Sequence, residues 1–301
     1  MELNIIAPML MSEAHLVASN IPEDDHPAWD AGTTFTKGAK VISPLSHRIY
    51  ESMQDGNIAH DPIGDDGTWW LDLRATNRWS AFDNRRANRA SRTDQITYSI
   101  VPTMDCDAIS LFGLTAGTVR IEVWDGASRI YDQSFVMVDK GRVVSAYTWF
   151  WGGIAYARHK VLNGFPGYIG HRIDLTISAP GAVAEVGHII LGRNDLIGTV
   201  LNGAEVQHVS HSRKDYDSFG DEMLVRRGST RKITIPLQVP TIQAPRVMDV
   251  IAEVDGLVVS FYGSPDGGLY GIEGLGFVDD HTQPLDAAGD SVFTLVMKTL
   301  K

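Results

Sequence analysis

Alternation of apolar and polar positions with a period of two dominates the chain. Thr118–Trp124 puts Val119, Ile121 and Val123 on one face and Arg120 and Glu122 on the other. Arg172–Ile177 repeats the pattern through Ile173, Leu175 and Ile177, and Arg231–Val239 through Ile233, Ile235, Leu237 and Val239. Such alternation predicts half-buried antiparallel strands. Gly113, Gly117, Gly126, Gly141, Gly152–Gly153, Gly164, Gly167 and Pro180–Gly181 punctuate them at intervals that suit a sandwich or jelly roll. The helical period surfaces in one stretch, Pro245–Val254, with Val247, Met248, Ile251 and Val254 on one side. A proline near its start and Gly256 just past its end mark its limits. Strands at Leu257–Tyr262 and Ser291–Met297 follow, which makes this region a small α+β unit.

The expected architecture is therefore mainly β. Residues 1–21 form an N-terminal arm or strand, 22–84 a small aromatic module, 85–195 a central β-sandwich of jelly-roll type, and 196–301 a C-terminal α+β domain with one helix. The chain's 301 residues exceed what one core usually organises. Its single cysteine, Cys106, excludes an intramolecular disulfide framework and a cysteine-built zinc site. Residues 1–20 have an acid at Glu2, no basic leader and one short apolar run, Ile5–Met11, which fits neither a secretory signal nor a membrane span. The expectation is a chain made in a cytoplasm, with no membrane insertion.

Within the small module, Trp29, Phe35, Val41, Ile49, Tyr50, Trp69 and Trp70 are spread over very short strands. A unit this small buries little surface, so large aromatics must build its core. Trp29, Tyr50 and Trp69 read as core plugs, and Trp70 as the ring left to stack on a sugar. The order Ala28-Trp29, Thr34-Phe35-Thr36-Lys37-Gly38-Ala39-Lys40-Val41, His47-Arg48-Ile49-Tyr50, Pro62 and Trp69-Trp70 resembles the small chitin-binding type of carbohydrate-binding module. It departs from that family at Glu51-Ser52-Met53-Gln54, where an adjacent pair of exposed aromatics normally follows.

Downstream, Asn77-Arg78-Trp79-Ser80-Ala81-Phe82-Asp83 follows a Trp70-Leu71-Asp72-Leu73 strand. This string is similar to a family of tailed-bacteriophage tail proteins, in which the small module leads into a galactose-binding-like β-sandwich. Asp107–Leu114 resembles the strand entering that sandwich, and Val186–Gly192 with Ile197–Thr199 its close; a Tyr270-Gly271 hairpin comes in the expected order. The resemblance implies a structural virion protein of a tail tip or baseplate. It would be assembled in the host cytoplasm with itself, as a ring or trimer, and with other tail proteins, with host surface polysaccharide as a candidate further contact. A receptor-binding carbohydrate adhesin is the alternative, and a glycan-degrading enzyme a distant one. No cofactor is expected, although sandwiches of this kind often hold a structural calcium.

Catalytic motifs do not emerge. The sequence has no G-x-S-x-G elbow and no P-loop. Cys106 sits beside Asp105 and Asp107, and acids raise a thiol pKa rather than activate it. His208 and His211, followed by Asp215, Asp217 and Asp221, fall in a stretch that reads as a solvated loop rather than a metal site. Asp61, Asp65 and Asp66 near Gly64 and Gly67 make an equally weak calcium loop. No catalytic residue and no metal ligand is assigned.

Charge is unevenly placed. Overall, 26 Lys and Arg stand against 37 Asp and Glu, a net −11, which argues against broad nucleic-acid binding. Yet residues 74–92 hold six arginines (Arg74, Arg78, Arg85, Arg86, Arg89, Arg92) against Asp83 alone, a local +5. Residues 249–290 hold nine acids, Asp279 and Asp280 among them, and neither Lys nor Arg. These are two solvated faces or complementary patches for contacts between subunits, with Arg85, Arg86, Arg89, Arg92, Asp279 and Asp280 as interface candidates. The densest aromatic run is Tyr147-Thr148-Trp149-Phe150-Trp151. A strand there would put Tyr147, Trp149 and Trp151 on one face, as sandwich core or as a sugar-binding surface.

Overall fold

The computed structural model describes residues 1–300 except 84–87, 140–144, 152–155, 217–219, 264–271 and 283–288, and leaves out the side chains of Thr148 and Trp149. The described chain opens with β1 (Glu2–Pro8), β2 (Leu16–Ser19), β3 (Lys40–Ser43), β4 (Arg48–Ser52) and β5 (Trp70–Ala75). It continues through β6 (Ala90–Ile100), β7 (Cys106–Phe112), β8 (Thr118–Asp125), β9 (Ser128–Val136), helix α1 (Ala146–Trp151), β10 (His159–Gly167), β11 (Arg172–Val186) and β12 (His188–Val200). The last part comprises β13 (Glu205–Ser210), β14 (Arg213–Tyr216), β15 (Glu222–Val225), β16 (Ser229–Pro240), helix α2 (Ala244–Glu253), β17 (Val259–Gly263), β18 (Gly274–Thr282) and β19 (Asp290–Thr299). The protein is mainly β, as the alternation predicts.

A β-sandwich forms from a five-stranded sheet, β2-β6-β11-β8-β9, facing β10-β7-β12. Ile96, Tyr98 and Ile100 of β6, Ile121 of β8 and Leu175 of β11 meet Ile109 and Leu111 of β7, Phe165 of β10 and Leu191 of β12 in one core. The alternating residues of Thr118–Trp124 supply its inward positions, and Arg120 and Glu122 face out.

The second body is a closed barrel. β12, β1, β17, β18, β19 and β16 pair antiparallel in that order, and β16 returns to β12 through Thr199↔Gln238 and Val200↔Leu237. Closure removes the open edges that a six-stranded sheet would otherwise leave. Leu3, Ile5, Ile235, Leu237, Phe261, Phe293 and Leu295 fill its core. Helix α2 adds Val247, Val250, Ile251 and Val254, spaced at i, i+3, i+4 and i+7, to the same core.

One strand belongs to both bodies. β12 pairs with β7 over His188–Gly192, then with β1 over Gly192–Thr199. The resemblance implies that Val186–Gly192 with Ile197–Thr199 close the sandwich; the strand runs straight through into the barrel, across the expected boundary at 195/196. Two glycines make this possible. A Cβ on Gly192 would collide with the carbonyl of Ala7, and a Cβ on Gly198 would lie 2.8 Å from the Gln238 carbonyl at the barrel's seam. The N-terminal arm is also shared: β1 sits between β12 and β17 in the barrel, and β2 pairs with β6 at the sandwich edge.

The small module is the three-stranded sheet β3-β4-β5. Val41, Tyr50 and Trp70 are its buried centre, with Trp29, Phe35 and Trp69 packed around them.

Candidate functional site

Trp70, expected to be the exposed ring of the small module, is 2% exposed and belongs to its core. Phe35 meets it edge-on with centroids 5.2 Å apart, and its indole N–H donates to the His60 carbonyl at 2.8 Å. The cause is the turn before β5. One Asp65 carboxylate oxygen accepts backbone N–H bonds from Gly67, Trp69 and Trp70 at 2.9, 3.1 and 2.9 Å, which turns the strand so that Trp70 points inward. The neighbouring ring, Trp69, is half-buried and stacks on His60 at 3.9 Å. Neither face of Trp70 is open to a sugar. Asp61 and Asp66, with Asp65 the acids of the weak calcium loop, likewise accept N–H bonds from Ile63 and Thr68.

The Asn77-Arg78-Trp79 string is a joint. Asn77 exchanges two hydrogen bonds with the backbone of Ser91, at 2.8 and 2.9 Å, and its own N–H donates to Asp25 at 3.0 Å. The Arg78 guanidinium donates to the Ile21 carbonyl at 2.9 Å, and the Tyr98 hydroxyl donates to the Arg78 carbonyl at 3.1 Å. Trp79 stacks on His47 of the small module at 4.2 Å and meets Phe82 edge-on; Phe82 in turn meets Tyr98 of the sandwich core. His47 is held at Nδ1 by Glu23, which also accepts the Thr76 hydroxyl at 2.8 Å. The motif therefore fixes the module to the body through its own side chains.

Tyr147, Trp149 and Trp151 do not form a strand face. The run folds as the six-residue helix α1, in which Tyr147, Phe150 and Trp151 stand at i, i+3 and i+4 and share a side. They are 73%, 74% and 78% exposed, so the run is not sandwich core. The Trp149 side chain lies outside the described residues. Val136 and Tyr156, at the foot of the same connection, are exposed as well. That foot is pinned to the sandwich by the Val138↔Tyr156 bridge and by the Ala157 N–H donating to the Met137 carbonyl at 2.7 Å. The structure thus keeps Trp70 and the α1 rings in separate places, and α1 presents an exposed aromatic surface.

A second exposed feature went unread in the sequence. The stretch around His208 and His211, which reads in the sequence as a solvated loop, is largely strand: β13 pairs with β16, and the chain beyond it continues as the two-stranded arm β14–β15. Tyr216, Met223, Leu224 and Val225 on this arm are exposed. Arg213 pairs with Asp215 and Lys214 with Glu222, and among the described residues Arg226 and Arg227 at its root make no ion pair. Alternation in Glu222–Val225 is too short to register, and the mixed charges conceal it. His211 Nε2 lies 3.1 Å from the Thr230 hydroxyl, and Asp215 is held by Arg213; among the described residues no three His, Cys, Asp or Glu side chains gather as a metal site.

The charged patches resolve in part. Arg85 and Arg86 lie outside the described residues. Arg89 is paired within the chain to Glu185 at 2.9 Å, and Arg92 is exposed on β6. Asp279 pairs with Lys232 at 3.4 Å, while Asp280 is exposed beside it on β18. Arg89 and Arg92 thus sit on the sandwich, and Asp279 and Asp280 on the barrel. Cys106 is fully buried; burial first, then the carboxylates of Asp107 and Asp105, pushes its thiol up to about 12, so it holds no nucleophilic thiolate at neutral pH.

Where the end of β1, the start of β12 and the approach to β17 meet Phe82 lies a cavity of about 70 Å³, lined by Pro8, Met9, Phe82, His188, Ile189 and Leu257. Small-molecule sites occupy roughly 300–1,000 Å³, so it is too small for a sugar residue. No protein-family model matches the chain, and no curated protein matches it significantly.

Proposed function

We propose that the chain is a structural virion protein of a bacteriophage tail tip or baseplate, assembling with copies of itself and with other tail proteins. The β14–β15 arm carries this reading. Two strands alone are marginally stable in water, and a free strand edge is a template for another chain. Here both strands lie outside the larger sheets and expose Tyr216, Met223 and Leu224. A neighbouring sheet edge in an assembly would pair the arm and cover those side chains. Charge supports a head-to-tail contact: among the described residues, Arg226 and Arg227 at the arm's root make no ion pair, and neither do Asp249, Asp255 and Asp280 on the acidic stretch.

The test replaces residues 212–227 with a short Gly-Ser turn and measures mass by light scattering behind size exclusion. The expected outcome is an assembly for the intact chain, weakened by salt, and a folded monomer for the variant with unchanged circular dichroism. An intact chain that stays monomeric, or a variant that assembles like it, refutes the reading. Recognition of a host glycan is the second reading and rests on the exposed rings of α1; retention on host polysaccharide that is lost in Trp151→Ala would favour it.

A further inference from the structure

The two large sheets end on four strands, and three of those ends are blunted. β2 is four residues long. β10 carries Lys160 and Pro166, and its pairing slips between Asn163 and Gly167. β13 places Glu205, Gln207 and His208 among its six residues. Short strands, lysine, proline, irregular pairing and charge all keep an edge from pairing with another chain. β9 differs. Its nine residues contain neither Lys nor Pro, and its pairing with β8 is regular from Tyr131 to Val136. Its charged side chains are held by β8: Arg120 grips Asp132 at 2.7 and 2.8 Å, and Arg129 donates to Glu122 at 2.9 Å. Two cations and two carboxylates cancel there, so the edge carries no net charge. Among the described residues no strand pairs with its outer side.

The sequence of this edge is symmetric. Ile130-Tyr131-Asp132-Gln133-Ser134-Phe135-Val136 reads alike from both ends: β-branched, aromatic, small polar, Gln, small polar, aromatic, β-branched. We propose that β9 pairs antiparallel with β9 of a second copy about a two-fold axis through Gln133, so that the five-stranded sheet of one copy continues into that of the other. Such an axis matches residues equally spaced on either side of it, each pair occurring twice. Tyr131 then faces Phe135 of the second copy and Ile130 faces Val136, both favourable cross-strand pairs. Asp132 faces the Ser134 hydroxyl, which can donate to it, rather than another carboxylate. The two Gln133 carboxamides face each other, each with a donor and an acceptor to offer. Equal spacing also brings each outward N–H and C=O opposite its like, which is the condition for an antiparallel ladder.

A strand of unrelated sequence would need no such symmetry, and this is the reason to assign the edge to a second copy. Each strand of the β14–β15 arm has four residues and would pair with only part of it. The two-fold contact covers Ile130 and Val136, now 45% and 71% exposed. It is small beside the roughly 800 Å² per partner of a standard interface, so on its own it is weak and parts at the dilution of a sizing column. It is independent of the head-to-tail contact proposed for the arm.

The experiment is disulfide trapping of the full chain at a concentration on the order of 100 μM, where weak contacts are populated. Cys106 is fully buried, so an introduced thiol acts alone. Gln133→Cys under mild oxidation is expected to give a covalent dimer on non-reducing electrophoresis, because facing residues lie about 4.5–5.5 Å apart at Cα. Asp132→Cys and Ser134→Cys are each offset from their own counterparts beyond the ~7 Å that a disulfide spans, and should stay monomeric alone. Mixed together, they should link to each other. Adding Ile130→Lys/Val136→Lys to Gln133→Cys sets lysine against lysine at both ends and should lower the linked fraction by roughly tenfold or more, with unchanged circular dichroism. Replacing residues 212–227 with the Gly-Ser turn should leave the Gln133→Cys dimer in place, which separates this contact from the arm's. Absence of a linked Gln133→Cys dimer, equal linking of Asp132→Cys or Ser134→Cys alone, indifference to the two lysines, or loss of the dimer with the arm would each overturn the proposal.

Discussion

Two aromatic clusters, similar in composition, end on opposite sides of the protein surface. In the small module, Trp29, Phe35, Tyr50, Trp69 and Trp70 come from separate strands and turns and converge on one point. In α1, Tyr147, Phe150 and Trp151 come from one turn and a half of helix and diverge into solvent. The difference is one of spacing rather than of residue type. Rings scattered along a folded sheet can share a centre, and a unit with few other apolar side chains has nothing else to build one from. Rings adjacent along six residues cannot all turn inward unless the rest of the fold wraps them, and here it does not.

The comparison breaks if the inward cluster proves dispensable. Trp70→Ala should cost about 3–5 kcal/mol, the usual toll of emptying a large aromatic site, and within so small a core should unfold the module alone. Limited proteolysis would then cut between residues 22 and 76 while the barrel stays protected; uniform protection would show that Trp70 does not hold the module.

A smaller effect tests what aims the ring. Asp65→Ala removes the acceptor of three backbone N–H groups and should destabilise the module by about 1–3 kcal/mol, with Asp65→Asn recovering part of it. Urea titration followed by near-ultraviolet circular dichroism reads both.

The outward cluster should be silent in the same assay. Trp151→Ser is expected to change stability by less than about 0.5 kcal/mol, because the ring is already in water. A large loss would mean that α1 packs on something.

The smallest effect concerns the foot of that cluster. His159, the first residue of β10, lies 2.5 Å from Glu273, and this hydrogen bond holds the Glu273 carboxyl below its ordinary value of 4.5, against burial that pushes it up. A carboxyl lowered by folding stabilises the fold above its ordinary value and loses that contribution as pH falls through the folded one. Both partners are half exposed, so the contribution is under about 0.5 kcal/mol. The parent should therefore melt slightly above Glu273→Gln at neutral pH, and the difference should fade as the pH drops below the ordinary carboxyl value of 4.5.

Legibility in the sequence followed the range of the interactions. The β8, β11 and β16 alternations and the α2 stripe are local periodicities, each facing one core, and were readable. The segment Tyr147–Trp151 was not: residues of high β propensity suggested a strand, but no partner strand pairs with them. The pattern of rings leaves Trp70 for the surface, because it cannot reveal a carboxylate five residues earlier that sets the direction of the strand. Barrel closure escaped notice since Thr199↔Gln238 depends on two segments meeting in space, with Gly198 as its faint trace. The Asn77-Arg78-Trp79 string was visible as a motif, and its work as a joint became visible only with its partners Ile21, His47 and Ser91 in place.

β1 lies in the middle of the barrel, flanked by strands that begin at residues 188 and 259. On a ribosome, the first seven-residue strand emerges long before either neighbour exists. The sandwich, built from residues 16 to 200, can close during synthesis, whereas the barrel must wait for the last strands to come back to the first. Its folding is therefore ruled by long loop closures and is the slow phase of maturation. In that interval β1 has its β12 partner on one side only, and its other edge waits open for β17, a handle for chaperones and an opening for strand exchange between nascent copies.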